Sequence, residues 1–243
     1  MISASTSRRA GPHPIIAWLF SSIGKKTIVA LTGIILVLFA IGHLGGNLTF
    51  FLGPDWLNAY GVHLRELGPL LWVARIGLLV AVGLHIFFTM LLWKENQAAR
   101  PSKYQVNSRV QSSIGVRTMR MTGLIIFGFV VFHLAQFTWL FVDPGYAGYH
   151  YDLHGQEVHN IFRMLVAGFS NPIVSIFYVL SLALLAFHLS HGIGSLFQTL
   201  GITNKRLRPV FEIAGKIIAW GLFIGFSSIP ISVLVFGYGK EVL

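Results

Sequence analysis

The chain has 243 residues, of which 54% are hydrophobic and only 11% are charged. Soluble domains carry about 25% charged residues, so this composition excludes a soluble globular protein and indicates an integral membrane protein. The absence of cysteine excludes disulfides, zinc–thiolate sites and iron–sulfur clusters bound by this chain, and leaves ten histidines as its main metal-binding side chains.

Five segments are long and apolar enough to cross a hydrocarbon core of roughly 30 Å, which needs about 20 residues per helix. No segment alternates with a period of two, so we expect an all-α integral membrane protein folded as a single domain over residues 1–243. Before the first span, residues 1–23 predict a helix lying at the membrane surface. The five spans cover residues 27–52, 70–93, 119–142, 172–200 and 211–236.

Lysine and arginine are concentrated on one side of the predicted spans. They lie before the first span, in the connection between the second and third spans, and in the connection between the fourth and fifth. Cytoplasmic loops carry such an excess, so we expect a multi-pass protein of the cell membrane with its N-terminus in the cytoplasm and its C-terminus outside. Orientation then accounts for the net charge of +10, and we expect no nucleic-acid partner.

Histidines occur in each of the first four spans, and they fall at two depths. His43 and His133 lie 17 and 16 residues beyond the basic residues that precede their outward-running spans, which places both in the outer half. His85 lies nine residues before the lysine that ends its span, and His188 and His191 lie 13 and ten residues before the glycine that ends theirs. The pattern predicts an outer pair, His43 with His133, and an inner pair, His85 with His188 or His191.

Two pairs at two depths, each drawn from two helices, are what two bis-histidine haems require. A zinc or copper site would instead gather three or four ligands at one depth. A proton relay would add carboxylates between the histidines, and a transporter that uses histidines would show repeats or broken helices. A single histidine could also be a structural hydrogen-bonding group between helices.

Several motifs at and around these histidines carry a family resemblance over residues 25–201. The chain resembles the membrane-anchor cytochrome b subunit of succinate:quinone oxidoreductases (succinate dehydrogenase or fumarate reductase), in the single-chain type with two haems. Another quinone-linked cytochrome b subunit is the alternative. The motifs are I-G-H-L-G-G-N-L at 41–48, G-P-L-L-W-V-A-R-I-G-L-L at 68–79, F-H-L at 132–134, G-F-S-N-P at 168–172, and F-H-L-S-H-G with F-Q-T-L-G at 187–201.

The resemblance implies five helices forming a bundle around two b haems. It assigns His43 and His133 to the distal haem and His85 to the proximal one. Depth alone slightly favours His191 as the fourth ligand, but the family pattern of histidine, three residues and glycine favours His188. The implied partners are a flavoprotein subunit, an iron–sulfur subunit, membrane lipid and a quinone (menaquinone or ubiquinone). The resemblance leaves open a higher oligomer of the complex.

The resemblance also places a quinone site near the distal haem on the outer side. Quinone reduction takes up two protons, which histidine or a carboxylate can supply, so His63, Glu66 and Tyr151 are candidates for this site. Haem propionates need cationic partners, for which Arg75 and Arg120 are candidates. An unpaired charge inside a span costs about 2.5 kcal/mol or more, so Arg75 needs either a propionate or access to the membrane surface.

Overall fold

A computed structural model of the chain describes residues 13–99 and 114–243, and all their side chains except those of residues 114–118. Five of the helices in these ranges are long and apolar enough to cross a membrane, as the sequence predicts. The helices are α1 (Pro14–Leu19), α2 (Ser22–Leu48), α3 (Pro54–Glu66), α4 (Pro69–Ala98), α5 (Ile114–Phe137), α6 (Ile161–Ser170), α7 (Pro172–Thr199) and α8 (Leu207–Phe236), and the strands are β1 (His150–Leu153) and β2 (Gln156–His159).

The third span ends five residues earlier than predicted, at Phe137. Leu140 adopts a left-handed backbone conformation with φ of 56°, which turns the chain back on the helix end. The amide of Phe141 then donates to the carbonyl of Ala135 at 2.8 Å and satisfies one of the last free carbonyls. Glycine commonly marks such a helix end, and a leucine gives no comparable signal in the sequence.

The connections over residues 53–69 and 143–171, which the predicted orientation puts on the outer side, contain α3, α6 and the β1–β2 hairpin. We call this side of the bundle the capped end. Pro54 in the first turn and Asp55 beside the helix N-terminus favour the start of α3. The hairpin turns at His154 and Gly155, both with positive φ (54° and 86°), as a two-residue turn between antiparallel strands requires.

One buried side chain connects the two helices of the cap. Asn58 of α3 is 1% exposed, and its Oδ1 accepts hydrogen bonds from the backbone amides of Ile161 (2.8 Å) and Phe162 (3.2 Å) at the start of α6. Its amide donates to Asn160 Oδ1 at 3.4 Å. Phe162 then stacks on Phe50, in an aromatic core shared by α6, α7 and α8.

The spanning helices form two pairs with α8 alongside. Helix α4 packs along α2 and α5 packs along α7, while α7 also packs along α8 and contacts α2. Within the described ranges, α4 makes no extended contact with either α5 or α7. We call the boundary between the α2–α4 pair and the α5–α7 pair the gap; among the described residues, only α2 and α7 make extended contact across it. At the end of the bundle opposite the cap, which we call the basic end, buried Lys25 of α2 forms an ion pair with Glu95 of α4.

Candidate functional site

A first pair of histidines faces across the gap in the half of the bundle near the cap. His43 on α2 and His133 on α5 have ring centres 5.9 Å apart and ring planes at 84°. A metal ion held between two imidazoles by bonds of about 2 Å would keep the ring centres about 6 Å apart. The spacing therefore suits a single ion ligated from both sides, as haem iron is.

A second pair lies towards the basic end. His85 on α4 and His188 on α7 are close enough to interact electrostatically, and they too belong to opposite helix pairs. Each ring lies against a glycine. A Cβ added at Gly33 would sit 3.6 Å from His85 Cε1, and one added at Gly123 would sit 3.3 Å from His188 Cε1. The glycines thus let each ring approach the backbone of a neighbouring helix.

The threonine before each glycine orients the adjacent histidine. Thr32 Oγ1 lies 3.1 Å from His85 Nδ1, and Thr122 Oγ1 lies 3.3 Å from His188 Nδ1. Both hydroxyls also donate to a carbonyl of their own helix, at 2.7 and 3.0 Å. A hydroxyl has one proton to donate, so towards the histidine it accepts a hydrogen bond. Each Nδ1 then carries the imidazole proton, and Nε2 keeps the lone pair that binds a metal.

His133 has the same arrangement with a tyrosine. Its Nδ1 lies 3.4 Å from the hydroxyl of Tyr178 on α7, and that hydroxyl donates to Gln136 Oε1 at 2.9 Å. The single hydroxyl proton is therefore directed to Gln136, and His133 donates from Nδ1 to the hydroxyl oxygen. Three of the four paired histidines thus present Nε2 as the free ligand atom.

His191 lies on a different side of α7 from His188. It interacts with Glu212 on α8, which also lies opposite Gly194. His188 instead faces α5 and His85. The two candidates for the fourth ligand therefore point towards different helices, and the structure brings only His188 to the pair.

Several glycines of the histidine-bearing helices have no neighbouring side chain, and most of them are exposed at the helix surface. At glycines on each of the four histidine-bearing helices, an added Cβ would meet no other atom within 4 Å. The absence of side-chain bulk at these positions is compatible with a flat macrocycle lying against the helices. Nowhere in the part of the chain that the structure describes do three or more histidines, cysteines or carboxylates cluster as a metal site. The glycines are Gly42, Gly45, Gly83, Gly128 and Gly192.

The two arginines considered as propionate partners lie in different settings. The guanidinium of Arg120 on α5 lies 4.3 Å from the centre of the Trp93 ring on α4, so it bridges the gap at the basic end. Arg75 is exposed on α4, and its guanidinium lies 5.1 Å from the Trp72 ring of the same helix. Arg120 is therefore next to the gap, and Arg75 is directed along the outer surface of α4.

The structure separates the three quinone-site candidates. His63 and Glu66 form an exposed hydrogen-bonded pair at the C-terminal end of α3, with Nδ1 and Oε2 3.1 Å apart. Tyr151 on β1 donates to Asp55 at the other end of α3, and this hydrogen bond raises the tyrosine pKa above its ordinary value. The two ends of α3 are about 16 Å apart, at ~1.5 Å per residue.

Of the three candidates, Glu66 alone lines a cavity of about 670 Å³ between α3 and the hairpin. Arg65, His150, Glu157 and His159 contribute the other charged or titratable groups of its lining. His150 is paired with Glu157 at 3.0 Å. Burial, and then the nearby Arg65 charge, lowers the pKa of His159. The cavity is a polar site formed where β1 and β2 bring these groups against the C-terminal end of α3.

The lowered pKa of His159 predicts a loss of stability in mild acid. The unfolded chain takes up a proton at a pH near 6.5, before the folded chain does, so stability should fall as the pH decreases through this value towards the lowered folded-state pKa. We expect the wild-type protein to lose more thermal stability between pH 7.5 and 5.5 than His159→Gln. Unfolding midpoints in detergent at a series of pH values test this, and equal slopes would contradict it.

The sequence pattern did not predict the side chains that hydrogen-bond to the histidines. Thr32 and Thr122 each precede a glycine, so a repeated Thr-Gly dipeptide in two spans was the available signal. Gln136 follows His133 by one helical turn, and Tyr178 is a polar group in an otherwise apolar segment. Buried polar groups of this kind need partners, which could have marked them as candidates.

Comparison with known proteins gives one finding. A family model described as "Succinate dehydrogenase/Fumarate reductase transmembrane subunit" matches residues 94–223, more than half of the chain. The matched range contains His133 and His188 and begins after His43 and His85. Neither the curated proteins nor the solved structures include a match.

Proposed function

This chain belongs to the succinate dehydrogenase/fumarate reductase transmembrane subunit family, and from that premise we propose that it is a dihaem cytochrome b subunit. It anchors a flavoprotein subunit and an iron–sulfur subunit at the membrane. It passes electrons from the iron–sulfur subunit to membrane quinone. Since the chain has no cysteine, the iron–sulfur clusters belong to a partner.

The observation that carries the proposal is the grouping of four histidines into two pairs, one in each half of the bundle, whose members come from opposite helix pairs. The proposed ligands are His43 with His133 near the cap, and His85 with His188 near the basic end. Each pair joins opposite helix pairs, and three of the four imidazoles have Nδ1 hydrogen-bonded to a hydroxyl oxygen. That second-shell hydrogen bond orients the ring and leaves Nε2 for iron.

The remaining residues provide binding, orientation and shielding from water. When bound, each haem supplies a one-electron redox centre within the membrane. The glycines on the four helices leave room for the macrocycles, and Arg120 supplies a cation for a propionate at the basic end. His191 is not proposed as an iron ligand, and Arg75, exposed beside Trp72, is not proposed as a propionate partner. The apolar side chains around the gap keep water from the redox centres.

The distribution of charge supports the proposed orientation. The basic end, with the lysines and arginines at the starts of α2 and α8, is assigned to the cytoplasmic side of the cell membrane, where it would meet the soluble subunits. The C-terminus and the capped end then lie outside. An electron that crosses to the outer side moves with or against the membrane potential, at about 2.3 kcal/mol per 100 mV.

A quinone site at the capped end remains part of the proposal. The cavity lined by Glu66, His150 and His159 offers carboxylate and imidazole groups for proton transfer to a quinone. His63 and Tyr151 lie outside its lining and are assigned no contact with the headgroup. Menaquinone and ubiquinone have the same two carbonyl oxygens to protonate, so both suit these groups.

The decisive test is a reduced-minus-oxidised spectrum of the purified complex, with haem quantified per chain. We expect two b-type haems per chain and co-purification of two soluble subunits. One haem or none would contradict the dihaem proposal. Two haems with a different set of partner subunits would indicate another quinone-linked complex, and a transporter would contain no haem.

A further inference from the structure

A series of buried polar side chains extends from His133 to the cap. Gln136 and Tyr178 are 1% and 4% exposed, although they lie on spanning helices α5 and α7 among Phe129, Phe137 and Phe169. Burying an amide and a phenol in such surroundings costs free energy unless both are hydrogen-bonded. Their partners therefore explain why these polar groups are tolerated.

The hydrogen bonds that link these polar side chains all point the same way, from His133 towards the cap. His133 Nδ1 donates to the Tyr178 hydroxyl at 3.4 Å, and the hydroxyl donates to Gln136 Oε1 at 2.9 Å. The amide group of Gln136 is left to donate, and it is hydrogen-bonded to Tyr146. Tyr146 is itself buried and lies in the 3₁₀ turn Pro144–Gly148 of the cap. Burial raises its pKa, so its hydroxyl stays protonated.

His133 is thus held differently from His85 and His188, the two paired histidines towards the basic end. Thr32 and Thr122 pass their protons to carbonyls of their own helices, so those contacts are local to α2 and α5. The contact to His133 instead depends on side chains from α5, α7 and the cap. The contacts of His133 therefore reach the cap, whereas the Thr32 and Thr122 contacts of His85 and His188 do not.

We propose that Tyr178 and Gln136 are positioning residues for the capped-end haem, which fix the ring orientation and tautomer of His133 and connect it to Tyr146 in the cap. This inference rests on the proposed dihaem function. Tyr178 accepts the Nδ1 proton, and Gln136 fixes the direction of the hydrogen bond by accepting the Tyr178 proton. Neither side chain touches the iron.

The hydrogen bond from His133 Nδ1–H should affect the reduction potential of the capped-end haem. An acceptor on Nδ1–H makes the imidazole a stronger donor to the metal, which favours the oxidised iron and lowers the reduction potential. Removing that acceptor should raise the potential of the capped-end haem. It should also free the ring to rotate, which changes the angle between the two imidazole planes from the 84° in the structure.

The test is a redox titration of the whole complex carrying Tyr178→Phe. We expect two haems to be retained and the midpoint potential of the capped-end haem to rise, by a change in the reduction equilibrium on the order of tenfold, about 59 mV for one electron. That haem is identified as the one lost in His43→Leu. The low-field electron paramagnetic resonance signal, which depends on the angle between the imidazole planes, should move for the same haem.

Two further variants test the more distant side chains of this hydrogen-bonded series. Gln136→Leu should shift the potential in the same direction by less, and Tyr146→Phe by least, because each removes a more distant link. Both also remain informative if Tyr178→Phe fails to assemble.

The matched controls are Tyr238→Phe and Thr122→Val. Tyr238 is another tyrosine of the capped end, but its hydroxyl donates to the carbonyl of Phe51, so its loss should leave both potentials unchanged. Thr122→Val should shift the other haem alone. Unchanged potentials in Tyr178→Phe, or equal shifts in Tyr178→Phe and Tyr238→Phe, would overturn the inference. A wild-type complex without two haems would overturn the proposed function itself.

Discussion

Replacing His188 with alanine is expected to reduce the haem content from two per chain to one, whereas replacing His191 should leave it at two. A b-type haem is held by its axial ligands and by packing, so a missing imidazole should release the basic-end haem. His188 lies beside Thr122 and His85, and His191 lies against Glu212 of α8. Haem per chain, measured as the pyridine haemochromogen in purified complex, tests this.

The two alanine variants control for each other, because both remove a histidine from the same helix one turn apart. Loss of a haem in His191→Ala alone would make His191 the fourth ligand, and retention of both haems in both variants would contradict the basic-end pair. In the same assay, His133→Ala should lose the other haem. The spectrum of the remaining haem should then differ between His133→Ala and His188→Ala.

Replacing Asn58 with leucine should lower the free energy of unfolding by about 2–4 kcal/mol. The two backbone amides at the start of α6 would lose the acceptor that they share, and they would stay buried without another. Leucine has nearly the same size, so the loss is one of hydrogen bonding more than of packing. Because α6 closes the aromatic core at the capped end, we expect the cap to open first. Unfolding midpoints in detergent measure the effect.

Asn171→Ala is the matched control for this variant. Asn171 also caps a helix, accepting from the amides of Ile173 and Val174 at the start of α7, but it is exposed. Water can replace its hydrogen bonds, so its loss should cost about 1 kcal/mol. A cost for Asn58→Leu no larger than that for Asn171→Ala would show that burial of Asn58 does not determine its contribution.

The spanning helices could be predicted because the hydrocarbon core imposes their length and apolarity. All five predicted spans begin and end within five residues of the helices that the structure describes, and the early end of α5 has a local cause. Its early end depends on Leu140 in a left-handed conformation, for which the sequence carries no glycine or proline signal. The separation of the histidines into two depths also followed from residue counts, since the helical rise per residue is constant.

The choice between His188 and His191 could not be made from depth. Three residues along a helix change the depth by about 4.5 Å but rotate the side chain by about 60°. That rotation directs His188 towards α5 and His191 towards α8, and it matters only once the neighbouring helices are known. The packing of α7 against both helices therefore determines which imidazole can meet His85.

The capped end shows the same dependence on distant parts of the chain. Asp55 and Tyr151 are hydrogen-bonded across 96 residues of sequence, and Asn58 reaches amides more than 100 residues away. His63, Glu66 and Tyr151 have suitable chemistry for a quinone site. However, their separation along α3 and the hairpin leaves Glu66 in the cavity and the other two outside it.

The sequence by itself determined that this is a membrane protein of five spans, because a hydrocarbon solvent imposes long apolar helices, and the absence of cysteine left histidine as the expected metal-binding side chain. Only the tertiary structure decided which groups hold those histidines. Thr32, Thr122 and Tyr178 each lie on a different helix from the imidazole they contact, and hydrogen-bond direction depends on where the hydroxyl proton goes. Such contacts depend on how helices pack and rotate, which the linear pattern of residues does not specify.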